Sequence, residues 1–439
     1  MELSRIDQIL CRLIRMDTTS GVHPERPCIE YIRELLESAG IETSVYALDE
    51  ERPNLYACIP SKEDPERRKP PLLFYGHVDV VPVTDQQWSC DPFGAEIKDG
   101  YIWGRGAVDM KGEIAMFIGL ALAAAEQRLE LPFDLRFLFV SDEECSGRYG
   151  MAYLVDRHPE LFEGVKWAFG EIGGFTFHVA GQQIYPIMIA EKQFAHLRIT
   201  ARGSGGHGSL AHTGTAMERA AEAVAKLSKE RLPVRITPPV RLMVEGFADI
   251  LGGFQGKVLR RLLQPRWTDR ILKLMGGTGT LFDPLLHNNI NVTIISGGSA
   301  INVIPSAVTF QGDMRLVPGC SIEEGIEDVR SLIGDGFTID VEEYNPGSSS
   351  TDMSLYEQIS RTMTSCEKGA KTVPFVLSGV TDGRFLSRLG IQTYGFTPMK
   401  LPEDYNFTEF IHSADERIPV GAADFGAEVL LKLVCNLKV

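Results

Sequence analysis

The chain has 439 residues, with 44 Lys and Arg against 59 Asp and Glu and a formal net charge of -15. That charge disfavours nucleic acid and anionic membranes as partners, because both repel an acidic protein; a small substrate stays open, since local charge in a cleft decides its binding. The length predicts two domains, and 44% hydrophobic with 23% charged residues is the balance of a globular protein. Cysteines at 11, 28, 58, 90, 145, 320, 366 and 435 form no Cys-x-x-Cys pair, which argues against a structural zinc ribbon and fits a reduced compartment. The opening Met-Glu-Leu-Ser-Arg-Ile-Asp has no unbroken apolar core, and no segment reaches the roughly 18 apolar residues of a membrane helix, so a cytoplasmic protein is expected.

Apolar residues recur at helical spacing over 3–16 and again over 28–39, where Gly40 closes the pattern. Thr18-Thr-Ser20 with Gly21 reads as the turn between them. Residues 41–48 and 54–59 read as paired strands, and 61–71 as a charged surface loop. The apolar run Pro71-Leu-Leu-Phe-Tyr75 reads as a buried strand that delivers Gly76-His77-Val78-Asp79. Residues two apart on a strand share a face, so His77 and Asp79 emerge side by side. Imidazole is a common metal ligand, and a neighbouring carboxylate can hold its second nitrogen. A single His-x-Asp at a strand end is commonly structural, so the residues downstream decide.

Gly104-Arg-Gly-Ala-Val-Asp109-Met-Lys-Gly112 places Asp109 at a loop-to-helix junction before an alanine- and leucine-rich helix over 113–128. The strand over 135–140 ends on Ser141-Asp142-Glu143-Glu144. Adjacent acids at a carboxyl end lie where open α/β sheets put their sites, with a solvated acidic turn as the plain alternative. A helix over 150–157 and a strand over 165–169 lead into Glu171, flanked by glycines. Strand and helix in alternation predict a three-layer α/β domain.

At about Glu191 the pattern changes. Strands over 194–201, 291–295, 307–314 and 337–343, with helices over 215–228 and 322–333, give the order βαββαβ of a ferredoxin-like layer. Between 231 and 288 lies an extra stretch with basic helical pieces such as Lys257-Val-Leu-Arg-Arg-Leu-Leu263, read as a helical excursion packed on a neighbour. From about 351 the α/β pattern resumes and carries His412.

Taken in order, His77-x-Asp79, Gly-Arg-Gly-x-x-Asp109-x-Lys-Gly, Glu143-Glu144, Glu171 among glycines, and Ile411-His412 before Asp415-Glu416 resemble the M20 family of metallopeptidases from residue 14 to the C-terminus. Aminoacylases, acetylornithine deacetylase, succinyl-diaminopimelate desuccinylase and carboxypeptidases belong to that family. The resemblance implies an α/β fold: a three-layer αβα zinc-peptidase-like catalytic domain at 1–190 and 350–439, and an inserted ferredoxin-like α+β lid or dimerisation domain at 191–349. It also implies two zinc ions per chain, with manganese or cobalt as substitutes. His77 and Glu171 would serve one metal, Glu144 and His412 the other, and Asp109 both. Asp79 would steer His77, and Glu143 would be the general base.

From the inserted domain the resemblance implies His207, in Ser-Gly-Gly-His207-Gly-Ser, as an oxyanion donor that reaches the partner's site in a homodimer. Asn302, Arg315 and Arg384 match positions that bind substrate. Val380 stands where many members have a glycine, which questions the local backbone, since valine resists positive φ. The implied function is hydrolysis of an amide bond next to a free carboxylate, in an N-acyl amino acid or small peptide. Dipeptidase or carboxypeptidase specificity, a binuclear phosphoesterase and a non-catalytic metal-dependent binding protein are the alternatives. The histidines at 23, 158, 178, 196, 212 and 287 carry no motif and read as structural or exposed.

Overall fold

The computed structural model describes residues 3–179, 181–347 and 351–438. The chain divides into two compact units, Met1–Ile189 with Asp352–Phe375 and Thr381–Val439, and Ala190–Thr351 with Val376–Val380.

The first unit is built on a nine-stranded sheet. Its middle is Leu135–Val140, Leu72–His77, Trp167–Gly170 and Gln392–Gly395, each parallel to its neighbour, while Asn54–Ile59 and Glu42–Tyr46 continue one side antiparallel. All six residues of Leu72–His77 are buried, as a central parallel strand requires. Its side chains alternate between two helical layers. Leu73 and Tyr75 join Leu154 and Val155 of the helix Met151–Arg157 and Phe385 of Gly383–Ser387, whereas Phe74 meets Phe117 of Lys111–Glu126 at 5.7 Å between ring centroids. That makes the three-layer α/β sandwich expected from the strand–helix alternation. Helix Lys111–Glu126 is buried nearly all round because Arg5–Ile14 and Ala422–Asn436 pack on it as well. One tight spot holds the acidic turn: a Cβ on Gly150 would lie 1.9 Å from the carbonyl oxygen of Ser141. Parallel strands all point their carboxyl ends one way, so Val140, His77 and Gly170 deliver the residues after them to a common edge.

In the second unit Asn289–Gly297, Ala307–Leu316, Gln193–Arg202 and Phe337–Asn345 form an antiparallel sheet in that order. Helices Ala216–Lys229 and Ile322–Ile333 cover one face, burying Ala195, Leu197, Ile199 and Ala201 of the central strand against Ala220, Ala223 and Val329. This is the βαββαβ layer that the hydrophobic period predicts. The stretch between Ala216–Lys229 and Asn289–Gly297 folds into Pro238–Leu251, Gly253–Arg260, Pro265–Met275 and Gly277–Leu286, with its own buried Val244, Leu259, Leu262, Ile271 and Leu272. It is therefore a packed helical element.

Lys192 ties that element to the sheet. Its buried Nζ donates to the carbonyl oxygens of Pro284 and His287 at 2.7 and 3.1 Å and to Asn289 Oδ1 at 2.7 Å. Burial pushes the ammonium down to about 7. Below that pH both the folded and the unfolded chain carry the charge, and folding bears the whole burial cost. Above it the unfolded chain binds more protons, so the stability of this unit rises with pH towards the value of free lysine. Lys192→Met removes that slope and orphans three acceptors, at a cost of about 1–3 kcal/mol. Urea unfolding read by hydrogen exchange across Gln193–Arg202 should show the wild type gaining on the variant between about pH 7 and 9; parallel curves would clear Lys192 of the effect.

Candidate metal centre

The edge at the strands' carboxyl ends gathers two imidazoles and four carboxylates. His77 Nε2 faces Asp109 Oδ1 at 3.1 Å and Glu171 Oε2 at 3.9 Å. On its far side, Nδ1 lies 3.0 Å from the Asp79 carbonyl oxygen and 3.5 Å from Asp79 Oδ1. With Nδ1 turned to that carbonyl, Nε2 is the ring nitrogen that faces the carboxylates. His412 Nε2 lies 3.2 Å from Asp109 Oδ2 and 3.2 Å from Glu144 Oε1. One oxygen of Asp109 thus faces His77 and the other His412. Ligand atoms of His77, Asp109 and Glu144 lie within 4.8 Å of one another, as do those of His77, Glu143 and Glu171.

Residues behind this set hold it in place. The buried Asp79 carboxylate accepts from the backbone N–H groups of Glu143 and Glu144, both at 3.1 Å, and so fixes the acidic turn as well as facing His77. Glu416 Oε1 accepts from the N–H groups of Val108 and Asp109 at 2.6 and 3.0 Å. Its other oxygen is paired at 2.6 Å with Arg105, which also donates to the Ser413 carbonyl at 3.1 Å and to Gln86 Oε1 at 2.7 Å. Gln86 in turn donates to the His412 carbonyl at 2.8 Å. Arg105 therefore links the Asp109 loop to the His412 segment. Both residues stand inside motifs quoted from the sequence, but a pair so far apart in the chain is visible only once folded. Asp142, Ile172 and His412 take φ of 68°, 62° and 61°, the left-handed region that side chains avoid, beside or within this set. The turn at Thr18–Ser20 runs alongside: Thr18 Oγ1 donates to the Val78 carbonyl at 2.6 Å.

Charge is concentrated accordingly. Burial pushes Glu144 and Glu171 up to about 8, reinforced in each by Asp109. Burial also raises Glu143. Hydrogen bonds to Asp109 and Glu144 lift His412 to about 10. Burial works to lower His77 but is overtaken by Asp109, Asp79 and Glu171, so it too is raised. Asp109 runs the other way: burial would raise it, but the hydrogen bonds from His412 and His77 hold it below the usual carboxylate range. Buried acids packed this closely around two imidazoles mark a site whose negative charge calls for cations. Mixed nitrogen and oxygen donors within a few ångströms suit divalent metal, so the residues fit the group.

Arg384 lies in the first unit, its Nη1 3.2 Å from Glu143 Oε1. Its guanidinium thus braces the acidic turn. Val380 before it is not among the residues with positive φ, so valine is accommodated there without strain. The remaining sequence-derived residues lie in the second unit. His207 and Asn302 come together there: Gly206–His207 pairs antiparallel with Val303–Ile304, and the Gly208 N–H donates to the Asn302 carbonyl at 2.9 Å. His207 is exposed, and its Nδ1 accepts from the Ser209 N–H at 3.2 Å, which leaves Nε2–H as a free donor direction. Arg315 is separate, paired with Asp313 at 3.0 Å and stacked over Phe194.

Residues 73–436 match the model of Peptidase family M20/M25/M40. The chain is 28% identical over 387 residues to N-fatty-acyl-amino acid synthase/hydrolase PM20D1 of Xenopus tropicalis, covering 83% of this chain and 72% of that one. It is 26% identical to aminoacylase-1 of Pongo abelii, covering 83% and 79%. Among solved structures, the M20 family metallo-carboxypeptidase Sso-CP2 from Sulfolobus solfataricus superposes with a TM-score of 0.66 at 18% identity, over 99% of this chain and 100% of that one. Human carnosine dipeptidase 1 does so with a TM-score of 0.60 at 16% identity, over 98% and 96%. The chain belongs to peptidase family M20/M25/M40, and it is a metal-dependent hydrolase of amide bonds.

Proposed function

We propose that this chain is a binuclear zinc hydrolase that cleaves an amide bond next to a free carboxylate, in an N-acyl amino acid or a small peptide. The observation that carries the reading is Asp109, with an imidazole at each of its two oxygens. His77 and Glu171 would hold one ion, Glu144 and His412 the other, and Asp109 both. Bound there, the ions lower the pKa of water and polarise the scissile carbonyl. Glu143 takes the proton of the attacking water, its carboxylate held towards the reaction by Arg384 at 3.2 Å. As the C–N bond breaks, Glu143 passes that proton to the leaving amine. Nε2–H of His207 donates to the oxyanion, reaching it from the partner chain of a homodimer. Asn302 lies beside His207 and serves the same end of the substrate.

The exposed edge strand Asn289–Gly297, with Ile294 and Ile295 each 56% exposed, supports pairing with a second copy. Arg315 is the candidate partner for the substrate's carboxylate, although it must share its guanidinium with Asp313. The eight thiols are all unpaired, which agrees with a reducing, cytoplasmic setting. Relatives named for fatty-acyl amino acids, for acylamino acids and for dipeptides favour both substrate types. A hydrolysis screen of N-acyl amino acids against dipeptides, with zinc and then with chelator, decides between them. No chelator-sensitive turnover on either class would refute the reading.

Metal analysis should find about two ions per chain and clearly fewer in His77→Ala or His412→Ala. Asp79→Asn and Glu416→Gln keep every ligand but loosen its support, so metal affinity should fall about 10–100-fold in a chelator competition. Unchanged affinity in both would show that the ligands hold themselves.

Glu143→Gln should keep its metals and fold while losing ~10²–10⁴-fold in turnover. Near-normal turnover would assign the proton to another group.

His207→Ala should lose about 10²–10³-fold. Mixing it with Glu143→Gln under subunit exchange should restore activity, because one site of the mixed dimer then has both groups. A fully active monomer, or no recovery despite proven exchange, would place the whole site in one chain.

A further inference from the structure

Away from the metal centre, the helical element of the second unit departs most from the chain's average. Between Gly253 and Met275 six Lys and Arg stand against one acid, Asp269, in a chain of net charge -15. These charges are gathered rather than scattered. The guanidinium carbons of Arg261, Arg266 and Arg270 lie 5.8, 5.8 and 5.4 Å from the ring centroid of Trp267. Three like charges around one indole repel one another, and nearby acids are committed elsewhere: Asp249 pairs with Arg260, and Asp269 with Arg231 and His287. Among the described residues no carboxylate is ion-paired with Arg261, Arg266 or Arg270. The buried Nε1–H of Trp267 has no hydrogen-bond acceptor either. The cluster is a cationic surface with no ion-paired carboxylate of its own among the described residues.

The same faces carry apolar side chains standing in water. Phe254 and Leu274 are each 81% exposed. Phe254 precedes Lys257 by three residues and Leu274 follows Arg270 by four, so each shares a helical stripe with a basic group. Leu259, five residues after Phe254, and Leu272, two before Leu274, are buried on the other sides of their helices, which turns Phe254 and Leu274 outward. Basic residues with protruding aromatic and aliphatic side chains match the interface of an anionic bilayer, where headgroup phosphates meet the cations and the apolar tips enter the acyl boundary. A nucleic acid would use the cations but offers Leu274 nothing to stack on, and a second copy of this face would repel it.

We propose that this face of the helical element docks reversibly on an anionic phospholipid surface. The acidity of the whole chain weighs against such a surface, but a protein meets a membrane with one face, and here the local sign is reversed. At ordinary ionic strength, charge beyond about 8–10 Å is screened, so the distant acids count for little. Each basic residue at such a surface strengthens binding about fivefold, so the three arginines together contribute on the order of a hundredfold.

The test is flotation of the full-length protein with vesicles of phosphatidylcholine alone or with about one third phosphatidylglycerol, at low and physiological salt. The wild type should float with the anionic vesicles, more weakly as salt rises, and not with the neutral ones. Arg261→Gln/Arg266→Gln/Arg270→Gln should weaken binding about a hundredfold, and Phe254→Ser/Leu274→Ser should weaken it while leaving the salt dependence. Circular dichroism and metal content unchanged in both variants would tie the loss to the surface. No flotation of the wild type at low salt, or flotation equal in the arginine variant, would overturn the proposal. So would single-stranded RNA bound as tightly as the vesicles, inorganic phosphate bound at the cluster without flotation, or a self-association in ultracentrifugation that the arginine variant abolishes.

Discussion

The first unit is organised around negative charge that has been taken out of water. Asp79, Asp109, Glu143, Glu144, Glu171 and Glu113 converge on the carboxyl edge of the parallel strands, most of them buried. Carboxylates collected in this way are unfavourable by desolvation and by mutual repulsion. The neighbouring side chains divide into those that neutralise the charge and those that only hold it still. His77 and His412 do the first, gaining protons from the field around them. Asp79 and Glu416 do the second by accepting backbone N–H groups, which spends their charge on geometry. Divalent cations take over the first task when bound, and the second is already done by the fold.

The Arg105–Glu416 pair shows why that division matters. Both side chains are almost fully buried and 2.6 Å apart, and neither is a ligand candidate. A buried ion pair is poor evidence for stability, because desolvation offsets most of the attraction. Its value here lies in placement: one carboxylate fixes the Asp109 backbone, and the arginine reaches Ser413 and, through Gln86, His412. Asp109 and His412, about three hundred residues apart, are thereby held in one frame by two side chains that are not ligand candidates themselves.

How much of this was legible in the sequence follows from which interactions are local. The strand ending at His77, the helix after Asp109 and the acidic turn at Glu143 each have a period and a terminus that a short window shows, and they stand as expected. The βαββαβ order of the second unit was legible for the same reason. The sheet order was not, since Gln392–Gly395 lies beside Trp167–Gly170 only after a long excursion through the second unit. Nor was Asp79's hold on two backbone N–H groups, because hydrogen bonds to a backbone leave no residue pattern. Arg384 shows the same limit: a substrate role could be carried over by motif, whereas its 3.2 Å contact with Glu143 needed the fold.

That contact bears on the proposed role of Glu143, in which one carboxylate both takes a proton and gives it back. Burial raises Glu143, and Asp79 and Asp109 push the same way, while His77 and Arg384 oppose. A buried group flanked by charges of both signs is sensitive to any charge that enters or leaves beside it. Substrate arrival, with its own carboxylate and a carbonyl turning into an oxyanion, is such a change. In the proposed reaction, negative charge building on the substrate would favour protonated Glu143, and the leaving amine would then take that proton. Arg384 contributes orientation as well, because a carboxylate fixed by a guanidinium presents its other oxygen in one direction. On this view the acidic turn is tuned by residues from both ends of the first unit, and the chemistry depends on their balance more than on any single shift.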